Sequence, residues 1–362
     1  MILIIIAGIV VLLLVFYLTN RVSKSKWISN VSQKKRPAAY AIAFLTMAAF
    51  FLIFSLTMSV SDAVYIFLHV LVFYVIYGIL IRIVRLIFKK NGSEYTQGRL
   101  AICTSVIWLL VSWILVHNVW QKDYSISTPK EVSLRVAYIS DCRLGHSIDA
   151  KGFERRLNKI KAAEPDLLII SGYLAGYHTS KEDMIKYCEA LGRMDLPYGV
   201  FITQKQHDTY YRDGSCSFKL DDMNEVLEQN GVKVLEDDHI LIDDRFYIAG
   251  RTSQHRRSKT SIPELLEGLD TDKYIIVVSN ESYKPEHDSE SAANLVLSGS
   301  DYSGFPFPLN IWLRKSDHYR ISSLENVNGT DFIVTSGLSV GVAGFRNDAK
   351  SEYVIVNINK AE

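Results

Sequence analysis

The sequence predicts a membrane region of four transmembrane helices followed by an α/β domain, in which stacked mixed β-sheets are flanked by helices. Apolar runs of roughly twenty residues, the length that crosses a bilayer, occur only before residue 121. Beyond it, β-rich segments first alternate with amphipathic helical patterns and then follow one another, which is typical of mixed sheets with helices outside. The hydrophobic share, 48% of 362 residues, agrees with a protein partly embedded in a membrane.

The chain is predicted to have three parts, and the first of them contains four membrane spans. The four spans cover residues 2–18, 39–58, 63–88 and 100–120. No basic residue precedes the first span and no A-x-A site follows it, so we interpret it as a retained helix rather than a cleaved signal peptide. Residues 1–120 are therefore the predicted membrane region, residues 121–130 a polar linker, and residues 131–360 the α/β domain.

Basic residues indicate the orientation of this membrane region. Residues 21–36 carry six Lys/Arg and residues 82–99 carry five, whereas the turn at 59–62 carries none. The positive-inside rule then places the first and third loops in the cytoplasm, which predicts a multi-pass protein of the cell membrane with an extracytoplasmic domain. Binding of anionic lipid is a second interpretation of the same loops, but orientation explains them more simply.

The charge of the predicted domain excludes one class of partner. Residues 131–362 contain 27 Lys/Arg against 36 Asp/Glu. Nucleic-acid binding needs a basic surface, so we expect no nucleic-acid partner. The four cysteines have no CxxC or zinc-ligand spacing, so neither a disulfide framework nor a zinc ribbon is predicted.

The elements of the domain follow from local patterns. A strand at 134–139 is followed by a helix after Asp149, a buried strand at 166–171, a helix that begins at the Ser180–Asp183 capping pattern, a strand at 198–203 and a helix at 219–229. Strand-rich sequence then fills residues 232–236, 245–250, 273–279, 294–298, 309–314, 331–336 and 352–358, with a short helix near Ser261 and Pro263.

Five loops lie at strand ends, where open α/β sheets gather their chemistry. They are residues 140–143 (SDCR), 172–174 (GYL), 205–208 (KQHD), 280–282 (NES) and 299–304 (GSDYSG). Their order and context, over about residues 133–359, resemble the calcineurin-like metallophosphoesterases, and most of all the bacterial membrane-anchored branch. In that family the five loops read DxH, GD, GNH[DE], a lone His and GHTHGG. The resemblance implies two divalent metals that activate a bridging water for phosphoester hydrolysis.

Most of the implied metal ligands are replaced in this chain. Asp141 matches the first ligand, while the other six positions hold Arg143, Tyr173, Gln206, Asn280, Ser300 and Tyr302. His207 and Asp208 match the third motif, and in the family that histidine assists at the phosphoryl group. A cation such as Arg143 repels each unit of metal charge by roughly 4 kcal/mol at about 4 Å and an effective dielectric of about 20. We therefore expect no metal cofactor and no competent catalytic residue, with His207 vestigial.

The predicted function is that of a metallophosphoesterase-like protein without catalysis, which binds an anionic or envelope ligand. An anionic small molecule, a lipid headgroup and a protein all remain open as partners. The candidate anion-binding residues are Arg143, His207, Arg256 and Arg257. Arg143 either pairs with Asp141 through its planar fork or points to solvent, and the sequence leaves both open.

The sequence is also compatible with two other functions. One is an active phosphoesterase with a rearranged site that acts on a lipid-linked or envelope phosphoester. The other makes the membrane helices the functional part and the domain their sensor. A hydrolase triad is discarded: residues 337–341 spell G-x-S-x-G, but no histidine follows His318.

Overall fold

A computed structural model describes residues 2–89, 94–145, 147–176, 179–204, 217–252, 260–280, 283–300, 304, 307–308, 310–311, 320–340 and 343–361. The chain divides into two compact units, Met1–Trp113 and Ile114–Glu362. The first unit is helical, and the second is built on two β-sheets.

The first unit is formed by five helices. They are α1 (Ile2–Ser23), α2 (Lys26–Val31), α3 (Arg36–Thr57), α4 (Val60–Phe88) and α5 (Glu94–His117), the last of which continues into the second unit. The short α2 was not predicted. Ser25 caps it by accepting a hydrogen bond from the Ile28 amide, and Ser59 caps α4 in the same way from the Asp62 amide.

Three of the described helices are long and apolar enough to cross a membrane: α3, α4 and the Thr96–His117 part of α5. The predicted first span is helical as α1, but it is not among these three. The structure thus supports a multi-helix membrane region, whereas the count of four spans stays a prediction.

The first sheet of the second unit combines strands from both ends of the domain. Its strands are β1 (Val119–Thr128), β2 (Leu134–Ser140), β3 (Leu167–Ser171), β4 (Gly199–Thr203), β5 (Lys233–Val234) and β12 (Ser351–Lys360), in the order β1-β12-β2-β3-β4-β5. Strands β2 to β5 are parallel, and β12 runs antiparallel to β2. The carboxyl ends of β2, β3 and β4 therefore meet at one edge.

The second sheet contains the remaining strands. They are β6 (Asp238–Ile242), β7 (Phe246–Arg251), β8 (Tyr274–Ser279), β9 (Leu295–Gly299), β10 (Ser323–Val327) and β11 (Thr330–Thr335), in the order β10-β11-β9-β8-β7-β6. Its four central strands are parallel, and the edge strands β6 and β10 are antiparallel to their neighbours.

The two sheets stack face to face with helices outside, as the alternation of strands and helices predicts. Helices α6 (Ala150–Lys161), α7 (Lys181–Gly192) and α8 (Leu220–Gln229) cover the first sheet, while α9 (Ile262–Leu265) packs on the second and α10 (Pro285–Asp288) precedes β9. Successive residues of β2 point to opposite faces: Ala137 and Ile139 pack under the helices, and Val136 and Tyr138 pack between the sheets. The predicted strand at 309–314 lies mostly outside the described residues.

The predicted linker at 121–130 is wrong. Those residues belong mostly to β1, which pairs in parallel with β12 from Val119 opposite Ser351 to Thr128 opposite Lys360. Ile126 is buried between the sheets, whereas much of the rest of β1 is polar and exposed. An edge strand of this kind shows little local hydrophobic pattern, and its partner β12 lies more than two hundred residues away in the chain. For these two reasons the local sequence resembles that of a flexible linker.

Candidate functional site

Two strand-end loops hold three residues in a left-handed backbone conformation. Asp141, Arg143 and Tyr173 have φ angles of 48°, 43° and 38°, which is unusual for residues other than glycine. The loops are joined by backbone hydrogen bonds, because the Arg143 amide donates to the Tyr173 carbonyl at 2.7 Å and the Leu144 amide to the Leu174 carbonyl at 3.0 Å. The loop after β2 is thus held against the loop after β3, and this brings the three side chains together.

Arg143 is paired with Asp141 and does not point away into solvent. Its Nη2 donates to Asp141 Oδ1 at 3.2 Å, and the exposed fractions of the two side chains are 28% and 20%. Its guanidinium also lies over the Tyr173 ring, with Cζ 4.0 Å from the ring centroid. Two of the predicted site residues, Arg143 and Tyr173, therefore form a cation–π contact beside Asp141.

The second sheet closes over the other side of Asp141. Asp141 Oδ2 accepts a hydrogen bond from Ser140 Oγ at 3.0 Å. A Cβ added to Gly299, at the end of β9, would lie 2.5 Å from Asp141 Oδ2 and 2.8 Å from Ser140 Oγ. After β11, the Leu338 amide donates to the Ser140 carbonyl at 2.8 Å. The missing side chain at Gly299 is what allows β9 to approach this closely.

A second arginine lies buried behind this site. Arg346 is 1% exposed, and its guanidinium donates to the carbonyls of Ser336, Gly337 (3.3 Å) and Ser339 (3.1 Å), all in the loop after β11. The Ser339 amide in turn donates to the Asp141 carbonyl at 3.2 Å. Arg346 therefore stiffens the loop that covers Asp141.

The electrostatics of Arg346 connect it to Asp141 as well. Burial lowers the pKa of the Arg346 guanidinium, and the carboxylates of Asp348, Asp141 and Glu352 act in the opposite direction by favouring its charged form. Glu352 is itself held by Thr335 Oγ1 and the Ser336 amide, each at 3.0 Å. Asp141 therefore interacts favourably with two guanidinium groups, that of Arg143 by direct contact and that of Arg346 through space. The sequence shows Arg346 only as an arginine in a Gly-rich turn and assigns it no role.

Two further predicted residues tie neighbouring loops together. Asn280 Nδ2 donates to the carbonyls of Thr203 (3.0 Å) and Gln204 (2.9 Å), which joins the ends of β8 and β4. Ser300 Oγ donates to the Arg320 carbonyl at 2.6 Å. The remaining predicted site residues lie outside the described residues: Gln206, His207, Asp208, Tyr302, Arg256 and Arg257.

The described residues do not fit the two-metal site that the family resemblance implies. Within the described part of the chain, no group of three or more His, Cys, Asp or Glu could hold a metal ion. The described partners of the Asp141 carboxylate are a serine hydroxyl and a guanidinium rather than the further carboxylates and imidazoles that bind divalent ions. A guanidinium already bound to the carboxylate repels a dication.

The two stacked sheets and the order of their strand-end loops resemble a metallophosphoesterase domain, and the described site holds Asp141 paired with Arg143. No protein-family model matches the chain. The chain is 23% identical over 272 residues to a transmembrane protein with metallophosphoesterase domain from Danio rerio, a match that covers 68% of this chain and 60% of that protein. It is also 23% identical over 249 residues to the uncharacterized metallophosphoesterase Cj0846 from Campylobacter jejuni, covering 66% and 62%.

These relatives confirm the resemblance to the metallophosphoesterases and agree with a membrane protein. A second transmembrane protein with metallophosphoesterase domain, from Bos taurus, is 24% identical over 195 residues, covering 51% of this chain and 43% of that protein. The chain thus spans less than two thirds of the length of the curated relatives it matches. The solved structure of TT1561 from Thermus thermophilus overlaps 57% of this chain and 91% of that one at 11% identity, with a TM-score of 0.38.

Proposed function

We propose that the domain is a catalytically inactive metallophosphoesterase-like module that binds an anionic group at the Arg143 loop. The observation that carries this proposal is the contact between Arg143 Nη2 and Asp141 Oδ1 at 3.2 Å. Hydrolysis in the family depends on two metals that activate water. A guanidinium can neutralise Asp141 as a metal would, but it cannot lower the pKa of a bound water to make hydroxide.

The geometry of Arg143 suits recognition of a phosphate or carboxylate. A guanidinium has five N–H donors in a planar fork, and Asp141 accepts from one of its nitrogens. Stacking on Tyr173 fixes the plane of the fork, so less entropy is lost when a ligand is bound. Because the Arg143 side chain is 28% exposed, it is accessible to a ligand from solution.

The first test of this function is metal content and turnover. A purified fragment of residues 118–362, incubated with manganese and desalted, should contain far less than one metal ion per chain. It should not hydrolyse bis-p-nitrophenyl phosphate above the rate of buffer. Bound metal near one ion per chain, or turnover that Asp141→Ala abolishes, would favour the active phosphoesterase instead.

The same fragment tests the anion site through Arg143→Ala. Phosphate should raise the melting temperature of the parent fragment and have a smaller effect on this variant. Both partners of the pair are partly exposed, so we expect the substitution itself to cost about 1–2 kcal/mol, less than the roughly 3–5 kcal/mol of a fully buried pair. Arg193→Ala is the matched control, because Arg193 pairs with Glu154 at 3.3 Å on the helical surface. Equal phosphate protection in parent and Arg143→Ala would exclude Arg143 from anion binding.

We also propose that this domain faces the extracytoplasmic side. The proposal depends on the basic loops at 21–36 and 82–99 and on α1 serving as the fourth span. Alkaline phosphatase, which is active only outside the cytoplasm, should be active when fused after Glu362. A fluorescent protein that folds only in the cytoplasm should stay dark at the same position, and the reverse pattern would place the domain in the cytoplasm.

A further inference from the structure

A polar cavity of about 650 Å³ lies among α1, α2 and α3 of the helical unit. The cationic groups in its lining are Lys24, Lys34 and Arg36, and the hydroxyl groups include those of Ser29 and Ser32. Ser32 is buried, so hydroxyl groups form part of the cavity wall while the cations stand at its rim. Ammonium, guanidinium and hydroxyl donors together are the usual partners of phosphate oxygens.

The charged residues around this cavity are almost all positive. Residues 24–36 include five Lys/Arg and no Asp/Glu, and Met1–Trp113 contains only two acidic residues, Asp62 and Glu94. Asp62 is bound to Ser59 at the start of α4, beyond the far end of α3. Since α3 has 22 residues, Asp62 is separated from Arg36 by about 33 Å of helix at 1.5 Å per residue. Asp62 therefore does not compensate the cations at this cavity.

The cavity also adjoins an apolar helix surface. Tyr40, in its lining, donates to Asn20 Oδ1 at 2.6 Å and stacks on Phe16, with ring centroids 6.4 Å apart. Phe16 is exposed on α1, and Phe44 is exposed one turn after Tyr40 on α3. On α2, Trp27 is 60% exposed, as is typical of residues at the membrane interface. A polar cavity thus continues directly into a lipid-facing surface.

We propose that this cavity binds the headgroup of an anionic phospholipid. The cations at the rim contact the phosphate, the serine hydroxyls contact headgroup or glycerol oxygens, and the acyl chains lie along Phe16 and Phe44. Free phosphate would satisfy only the polar half of this arrangement. The inference is independent of the function proposed for the α/β domain, and it gives the basic loop a binding role in addition to any role in orientation.

The test uses the full-length protein in a mild detergent. Phosphatidylglycerol should bind, as measured by native mass spectrometry and by a rise in melting temperature. The double variant Lys34→Gln/Arg36→Gln should bind it about 25-fold more weakly, since each cation near anionic lipid contributes roughly fivefold. The matched control is Arg82→Gln/Lys89→Gln, which removes one arginine and one lysine, both exposed, from the other basic loop. It should change binding by less than about twofold.

A neutral lipid and a lipid-free anion separate the alternatives. Phosphatidylcholine should bind much more weakly than phosphatidylglycerol, and inorganic phosphate at the same concentration should not raise the melting temperature. If the double variant loses its helical circular dichroism, the two single variants replace it, each with an expected loss of about fivefold. Equal binding of phosphatidylcholine, equal protection by inorganic phosphate, or an equal loss in the control variant would overturn the proposal.

Discussion

A fragment of residues 131–362 should be about 3–5 kcal/mol less stable than a fragment of residues 118–362, because it lacks β1. Ile126 and Val119 of this strand are 5% and 8% exposed, and burying a side chain of this size contributes roughly 1.5–3 kcal/mol. The shorter fragment also leaves the edge of β12 unpaired along ten residues, which favours aggregation. Urea unfolding followed by circular dichroism measures the difference.

Two point variants of the longer fragment distinguish packing of β1 from a general effect of chain length. Ile126→Ala should cost about 2–4 kcal/mol, as expected for a truncated core side chain. Lys122→Ala, on the exposed part of the same strand, should change stability by less than about 0.5 kcal/mol. If both fragments unfold at the same urea concentration, β1 does not contribute to the stability of the domain.

Arg346→Met should destabilise the domain by about 3–5 kcal/mol, the cost of removing one partner from a buried set of charges. The substitution removes the donors to the carbonyls of Ser336, Gly337 and Ser339. It also leaves the buried Glu352 and the half-buried Asp348 without the guanidinium whose charge interacts favourably with theirs. Thermal or urea unfolding of the 118–362 fragment measures the loss.

The matched control is Arg193→Met, which breaks an exposed ion pair with Glu154. Exposed pairs contribute about 0–1 kcal/mol, so this variant should behave almost as the parent. Arg346→Lys should fall between the two, because it keeps the charge and loses the fork that reaches three carbonyls at once. A neutral effect of Arg346→Met would mean that Asp141 and its neighbours need no buried cation.

The edge strand β1 and the buried Arg346 are features that local sequence patterns do not reveal. Helix starts and central strands, in contrast, are predicted well from such patterns. Asp149 caps the N-terminus of α6 by accepting a hydrogen bond from the Gly152 amide, and Ser180 caps that of α7 by accepting one from the Asp183 amide. Strands β2, β3 and β4 are buried along nearly their whole length and read as apolar runs. The edge strands β6 and β10 were missed, since each has an exposed or half-exposed pattern.

The sequence by itself determined which chemical groups lie at the ends of the strands. The signals used for this, helix caps, apolar periodicity and strand ends, depend only on residues close together in the chain. Asp141, Arg143 and Tyr173 could be assigned to two neighbouring loops without any coordinates. Only the tertiary structure decided that Arg143 pairs with Asp141, since the Tyr173 ring that supports the guanidinium comes from another loop. It also placed Arg346 behind Asp141. The physical reason is that parallel strands bring residues far apart in the chain to one edge of the sheet. Charges that are partly removed from water there are stabilised by pairing with opposite charges.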